Sequence, residues 1–177
     1  MKPYPQEWER HDVLRDGLRV FVRPLKPQDA ALYPDFLAEV TAEDLRLRFF
    51  APVREVSPAL IEKLTQLDYA RAIAFIAIDE ASGKMLGVVR LHRDPQGDGG
   101  EYAVLVRSAL KGQGLGWLLM SRILDYANAE GLSTIHGQVL SENSTMLAMC
   151  QELGFTITDD PSETGVKVAT LNLKGNA

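Results

Sequence analysis

The chain has 177 residues, of which 46% are hydrophobic and 24% are charged, as in an ordinary globular domain. Its 24 Asp and Glu residues outnumber 19 Lys and Arg residues, and the formal net charge of −5 gives no positive field for nucleic acid, so neither DNA nor RNA is expected as a partner. One cysteine, Cys150, excludes an internal disulfide, and no apolar run has the length of a signal peptide or a membrane span, so a cytoplasmic protein without membrane contact is predicted.

The first 70 residues contain four recognisable patterns. Residues 1–17 have prolines and little periodicity, which predicts an irregular lead-in. Leu18–Arg23 alternates in character and stops at a proline, as a strand does. Apolar residues recur at helical spacing within Pro27–Phe50, which predicts a helical segment. Ser57 followed by Pro58 predicts another helix start, since Ser is a good N-cap and Pro is favoured at the first helical position.

The pattern after residue 71 is richer in strands. Apolar runs at Ile73–Ile78 and Met85–Leu91 flank turn-forming residues and predict a β-hairpin. Strands that pair locally at first and are later joined by helices indicate one α/β (α+β) domain, with helices flanking a mixed sheet. The remaining predicted elements are strand Glu101–Val106, helix Gly114–Glu130, strand Thr134–Leu140, helix Asn143–Leu153 and strands Phe155–Thr158 and Val166–Leu173.

A glycine-rich turn joins the strand at residue 106 to the helix at residue 114. Gly112, Gly114 and Gly116 let backbone N–H groups converge on one point without side chains in the way. The following helix adds its own unpaired N–H groups and the positive end of its dipole. Together these features predict a site for a pyrophosphate, with Lys111 as a neighbouring charge.

Two familiar phosphate motifs do not fit this turn. A P-loop requires G-x-x-x-x-G-K-[ST], which the sequence does not contain. A dinucleotide fingerprint starting at Gly112 would need its third glycine at residue 117, where Trp117 stands. A glycine-rich connection without a ligand stays open as the alternative.

Two features resemble the GNAT superfamily of N-acetyltransferases. The spacing Lys111-x-x-Gly114-x-Gly116 is similar to the coenzyme A-binding turn of that family, which usually has Gln or Arg where Lys111 stands. Asn143 and the later Gly154–Phe155 resemble the family's next helix and its end, and a helix N-cap is the alternative role for Asn143. The resemblance implies a GNAT-like domain over 18–173, a mostly antiparallel sheet, acetyl-CoA as co-substrate and no metal. The coenzyme-binding residues that it implies are Val104, Leu105, Val106, Lys111, Gly112, Gln113, Gly114, Leu115, Gly116, Trp117 and Asn143.

A narrower resemblance is to the catalytic domain of Pat-type bacterial protein lysine acetyltransferases. It implies a protein lysine as the acceptor, with an acyl-CoA synthetase as one candidate protein. A small-molecule amine and a non-catalytic domain that senses acyl-CoA stay open as alternatives. Since Pat-type proteins often carry a larger synthetase-like region, this chain is expected to be an excised domain or a single-domain relative. The similar stretches are Asp16–Val20, Arg23–Leu25, Leu47–Phe50, Asp68–Tyr69, Ala74–Ala77 and Glu101–Val106.

Glu101 is the predicted general base. An acceptor ammonium with a pKa of about 10.4 must lose a proton before it attacks a thioester. Glu101 begins the strand that leads into the turn, shares a face with Ala103 and Leu105, and aligns by resemblance with the family's glutamate. A solvated carboxylate at a strand edge is the alternative. The resemblance further implies direct transfer, with an oxyanion donor from the strand Val104–Val106.

Cys150 and five arginines are weaker candidates. Cys150 stands where relatives often have a tyrosine as general acid; its apolar surroundings predict a buried, inert thiol, with a ping-pong nucleophile as the alternative. The arginines are candidate contacts for the coenzyme 3′-phosphate, with solvated surface charge as the alternative: Arg46, Arg48, Arg54, Arg90 and Arg93.

Overall fold

The computed structural model describes residues 2–50 and 57–173. In this part of the chain, one eight-stranded sheet has the order β1-β2-β3-β4-β5-β6-β8-β7. Neighbouring strands are antiparallel except β5 and β6, which are parallel, so the prediction of a mixed, mostly antiparallel sheet is confirmed. The strands are β1 Arg10–Val13, β2 Arg19–Pro24, β3 Ala72–Asp79, β4 Met85–Arg93, β5 Gly99–Val106, β6 Thr134–Leu140, β7 Thr156–Asp159 and β8 Val166–Asn172.

Helices cover both faces of this sheet. Ser57 caps α3 by accepting a hydrogen bond from the Leu60 N–H at 3.1 Å, with Pro58 at the first helical position, as predicted. The α-helices are α1 Tyr33–Ala38, α2 Ala42–Phe49, α3 Pro58–Thr65, α4 Leu115–Ala129 and α5 Ser144–Glu152. None of the described helices is both long and apolar enough to cross a membrane.

The predicted helical segment Pro27–Phe50 is three short helices. A 3-10 helix over Pro27–Leu32 precedes α1, and α2 is separate. The break has a local cause: Thr41 is extended and its side chain accepts a hydrogen bond from the Asp44 N–H at 3.1 Å. This N-cap starts a new helix although the apolar periodicity continues across it.

Two hydrophobic cores lie on opposite faces of the sheet. One contains buried residues of α4 and α5, and the other contains those of α1, α2 and α3. Because both faces are covered, β3 is buried on both sides over its first six residues and is nearly all apolar. Strand alternation in β5 points Tyr102 and Val104 to the α4 side and Leu105 to the α1–α3 side.

The irregular lead-in predicted for residues 1–17 is wrong at Arg10–Val13, which forms β1 against β2. The strand is short, charged and at the sheet edge, so it lacks the apolar alternation that identifies a strand in sequence. The two carboxylate oxygens of Asp12 accept hydrogen bonds from the Arg122 guanidinium on α4, each at 2.7 Å. This pair fixes the β1–β2 hairpin against α4.

Candidate active site

The site begins where β5 and β6 separate. The parallel pairing covers three residue pairs and ends at Glu101↔His136, whereas β5 continues to Val106 and β6 to Leu140. The Tyr102 ring lies beside Gly137 at this fork, and a Cβ atom on residue 137 would be 2.5 Å from the ring. The diverging strands therefore leave a cleft whose closed end is filled by an aromatic ring.

A cavity of about 580 Å³ extends from this fork to the start of α4. Glu101 lines the cavity, and nine of the eleven predicted coenzyme-binding residues line it too. Gln113 and Leu115 do not line it, and the Leu115 side chain is fully buried in the core. The nine residues are Val104, Leu105, Val106, Lys111, Gly112, Gly114, Gly116, Trp117 and Asn143.

The turn before α4 has the backbone shape that its glycines predict. Gly112 and Gly114 have φ angles of 85° and 91°, in the left-handed region that glycine adopts without strain. Gly114 is the N-cap of α4 and has no side chain to accept the first N–H groups of the helix. The N–H groups of Leu115, Gly116 and Trp117 therefore have no intrahelical acceptor and lie at the positive end of the helix dipole.

Lys111 forms an ion pair that sequence reasoning did not predict. Its Nζ atom is 2.8 Å from an Asp44 oxygen on α2, and the Ser108 hydroxyl donates to the same carboxylate. Burial tends to raise the pKa of Asp44, but the hydrogen bonds from Lys111 and Ser108 lower it overall. Lys111 thus ties α2 to the glycine turn.

Asn143 caps α5, as its alternative role predicts. Its Oδ1 atom accepts a hydrogen bond from the Met146 N–H at 3.2 Å. The side-chain NH₂ group carries two further donors, and the residue lines the cavity. Capping and a contact to a ligand in the cavity are therefore compatible.

Arg15 is a cavity residue that the sequence reasoning missed. It lies in the β1–β2 turn, and its Nε atom would be 3.6 Å from a Cβ atom on Gly114. It is exposed and lines the cavity. No pattern in the sequence predicts this position, because the Asp12–Arg122 contact brings the hairpin to the glycine turn.

Replacing Arg15 with Ala is expected to weaken acetyl-CoA binding about threefold to tenfold, because a cation beside a phosphate site is removed in a solvent-screened position. Calorimetry at low and high ionic strength measures the effect, which should shrink as salt is added. Arg19→Ala is the matched control, since Arg19 is exposed in the same hairpin outside the cavity lining. The assignment is contradicted if Arg19→Ala loses as much acetyl-CoA affinity as Arg15→Ala does. It is also contradicted if Arg15→Ala weakens the binding of acetyl-pantetheine, which has no pyrophosphate, as much as that of acetyl-CoA.

The five candidate arginines have different surroundings. Arg46 and Arg93 are ion-paired with glutamates, and Arg90 is buried and donates to Tyr33 and to a backbone carbonyl. Arg54 lies outside the described residues. Only Arg48, among the four described, lines the cavity.

Cys150 is buried and does not line the cavity. Its Sγ atom is 3.1 Å from the Tyr102 hydroxyl. Burial raises the pKa of the Cys150 thiol, and burial together with Cys150 raises the pKa of Tyr102. A protonated thiol without access to the cavity fits the predicted inert role and not that of a nucleophile.

Cys150 is expected to react with iodoacetamide about 100-fold more slowly in the native protein than in the unfolded chain, because only an exposed thiolate reacts quickly. Cys150→Ala should keep kcat/KM within about threefold, while unfolding free energy falls by about 1–2 kcal/mol as the Tyr102 hydroxyl loses its partner. Alkylation kinetics by mass spectrometry and thermal unfolding measure both effects. Fast native alkylation that abolishes transfer would support an acyl-cysteine intermediate instead.

Most of the chain is similar to known proteins. A model of the Acetyltransferase (GNAT) family matches residues 39–155. The chain belongs to the GNAT acetyltransferase family. It is accordingly an acetyl-CoA-dependent N-acetyltransferase. No group of three or more His, Cys, Asp or Glu residues suited to a metal is found within the described parts of this GNAT domain.

Two acetyltransferases and one solved structure are similar to the chain. It is 29% identical to an acetyltransferase of Pseudomonas aeruginosa over 152 residues, which are 85% of this chain and 82% of that protein. It is 29% identical to acetyltransferase Pat of Mycolicibacterium smegmatis over 142 residues, which are 80% of this chain but only 42% of Pat. The crystal structure of the GNAT domain of S. lividans PAT has a TM-score of 0.89 and 30% identity, and the match covers 97% of this chain and 100% of that domain. The predicted resemblance to the Pat GNAT domain is confirmed.

Proposed function

We propose that this GNAT enzyme transfers the acetyl group of acetyl-CoA to the side-chain amine of a protein lysine, with Glu101 as the general base. One observation carries the proposal: Glu101 lies at the fork of β5 and β6, in the same cavity as the glycine turn of α4. A carboxylate and an anion-binding helix end thus share one cleft. The similarity to the Pat GNAT domain over nearly the whole chain supports a protein lysine as the acceptor.

In this proposal the turn binds the coenzyme through its backbone. The N–H groups of Leu115, Gly116 and Trp117 donate to the pyrophosphate, with Arg15 as the nearby cation. The pantetheine arm lies along Val104–Val106, where β5 has left β6 and its backbone groups face the cleft. The thioester then points toward Glu101 at the fork.

Glu101 accepts a proton from the acceptor ammonium, directly or through a water. The neutral amine attacks the thioester carbon, and a backbone N–H of the Val104–Val106 strand donates to the oxygen that becomes negative. This attack forms the carbon–nitrogen bond and leaves a second proton on the nitrogen, which passes to water. Collapse of the tetrahedral intermediate then breaks the carbon–sulfur bond and leaves the amide. Water protonates the leaving thiolate, because Cys150 occupies the position where relatives often have a tyrosine, and it is buried.

The test incubates the protein with labelled acetyl-CoA and a bacterial lysate, followed by purified acyl-CoA synthetases. Label is expected in protein, in a linkage that resists hydroxylamine as an amide does, and mass spectrometry should locate it on lysine. Label that enters only small amines would favour a small-molecule acetyltransferase. Acetyl-CoA binding without any label transfer would favour a sensor domain.

A further inference from the structure

The end of the cavity near Glu101 contains an arginine without an acidic partner. Arg48, on α2, lines the cavity, and its guanidinium carbon is 4.6 Å from the centroid of the Phe49 ring. No carboxylate among residues 2–50 and 57–173 lies within 4.0 Å of its nitrogens. Its neighbour on the same helix, Arg46, is paired with two glutamates. Arg48 is therefore a half-buried cation in the cavity lining, close enough to Glu101 for the two charges to interact.

A second guanidinium makes this end of the cavity more positive. Arg90 on β4 is 5% exposed and donates to two neutral groups, the Tyr33 hydroxyl at 3.0 Å and the Leu64 carbonyl at 3.2 Å. Strand register places Arg90 and Glu101 on the same face of the sheet, under α2. Two arginines thus face one carboxylate, in a protein with a formal net charge of −5.

The positive charge of Arg48 is destabilised when no ligand is bound. Burial and the repulsion from Arg90 lower the pKa of Arg48 to about 10, so the side chain is still charged at neutral pH but poorly compensated. A carboxylate that enters the cavity would restore the balance and accept two parallel N–H bonds from the planar guanidinium. Such a ligand also suits the reaction, because it would arrive attached to the amine.

We infer that Arg48 binds a carboxylate of the acceptor and thereby selects amines that have an acidic group close to the reacting nitrogen. The inference rests on the proposed function, which assigns this end of the cavity to the acceptor. In a protein acceptor the carboxylate is an Asp or Glu side chain next to the lysine. In a free amino acid it is the α-carboxylate.

The test compares two pairs of acceptors that differ only in the carboxylate. The first pair is a capped peptide containing Asp-Lys and its Asn-Lys counterpart, and the second is a free amino acid and its amide. In at least one pair, the wild-type protein is expected to have a kcat/KM about tenfold higher for the acceptor with the carboxylate than for its amide counterpart. A charge-assisted bidentate contact has an effect of this size. Arg48→Met should reduce that ratio to about one, and Arg48→Lys should keep part of it. Arg46→Met is the matched control and should leave the ratio unchanged.

A binding measurement separates this inference from the proposed function. Peptides with norleucine in place of lysine cannot react, and calorimetry with the coenzyme A-bound protein should show tighter binding of the Asp form that Arg48→Met and Arg48→Lys weaken. If only the free amino acid is preferred over its amide, and the Asp-Lys peptide is not preferred over Asn-Lys, the role of Arg48 is supported and the proposal of a protein acceptor is overturned. The role of Arg48 is overturned if kcat/KM is the same for the acidic and the neutral acceptor in both pairs and the Asp and Asn norleucine peptides bind equally well. It is also overturned if Arg48→Lys has the same acid-to-neutral ratio of kcat/KM as the wild-type protein. Thermal unfolding and acetyl-CoA affinity verify that each variant is folded.

Discussion

Glu101→Gln is expected to lower kcat about 10²- to 10⁴-fold at neutral pH and to leave acetyl-CoA affinity unchanged, because the amide has the shape of the carboxylate but cannot accept the proton. The coenzyme turn is at the other end of the cavity, so binding does not depend on this carboxylate. The loss should shrink as pH rises. An acceptor lysine with a pKa of about 10.4 becomes neutral without help, and the variant's rate should increase roughly tenfold per pH unit below that value.

Glu152→Gln is the matched control for Glu101. Glu152 also lines the cavity, but it lies on α5 and not on the strands β5 and β6 that form the fork. Removing its charge changes the field of the cavity without touching the proposed base, and kcat should stay within about threefold. Steady-state kinetics over a pH series, with calorimetry for acetyl-CoA, measures both variants. Equal losses in the two variants, or a flat pH profile in Glu101→Gln, would exclude Glu101 as the base.

Gly114→Ala is expected to weaken acetyl-CoA binding about 5- to 30-fold, the change that corresponds to about 1–2 kcal/mol. At a φ of 91° a Cβ atom strains the backbone by about 1–2 kcal/mol. The chain relieves that strain by rotating the peptide groups at the start of α4, which turns the free N–H groups away from the phosphates. The coenzyme dissociation constant, measured by calorimetry, should rise, while kcat at saturating acetyl-CoA changes little.

Gly131→Ala separates backbone strain from the coenzyme site. Gly131 follows the other end of α4 with a φ of 76°, and a Cβ atom there would meet nothing within 4 Å. Both variants should therefore lower the melting temperature by similar amounts, but only Gly114→Ala should change the acetyl-CoA dissociation constant. A Gly114→Ala protein that binds acetyl-CoA normally would show that the turn does not hold the phosphates.

Much of the sheet was predictable because β3 and β4 are nearly continuous apolar runs buried on both faces, and β6 alternates between buried and more exposed residues. Thr134–Leu140 forms β6 as predicted, and the hairpin of β3 and β4 lies at the predicted apolar runs. β1 was not predictable, since a short charged edge strand has no apolar pattern. The break between α1 and α2 was missed because one Thr cap interrupts a periodicity that continues on both sides.

The site was predictable where it depends on local backbone and not where it depends on tertiary contacts. The left-handed glycines and the start of α4 follow from residues 112–116 alone. Arg15 and Arg48 reach the cavity only because the hairpin packs on α4 and α2 packs beside β5. Sequence spacing contains no information about either approach, so Arg15 was missed and Arg48 was only one of five candidate arginines.

The contact of Tyr102 with Gly137 restricts how the fork can evolve. Any side chain at residue 137 would overlap the ring, and overpacking of a buried site typically costs about 1–3 kcal/mol. A smaller residue at 102 would first have to create the room. A substitution at residue 137 is therefore tolerated only after residue 102 has become smaller. A library that varies position 137 alone will recover mainly glycine.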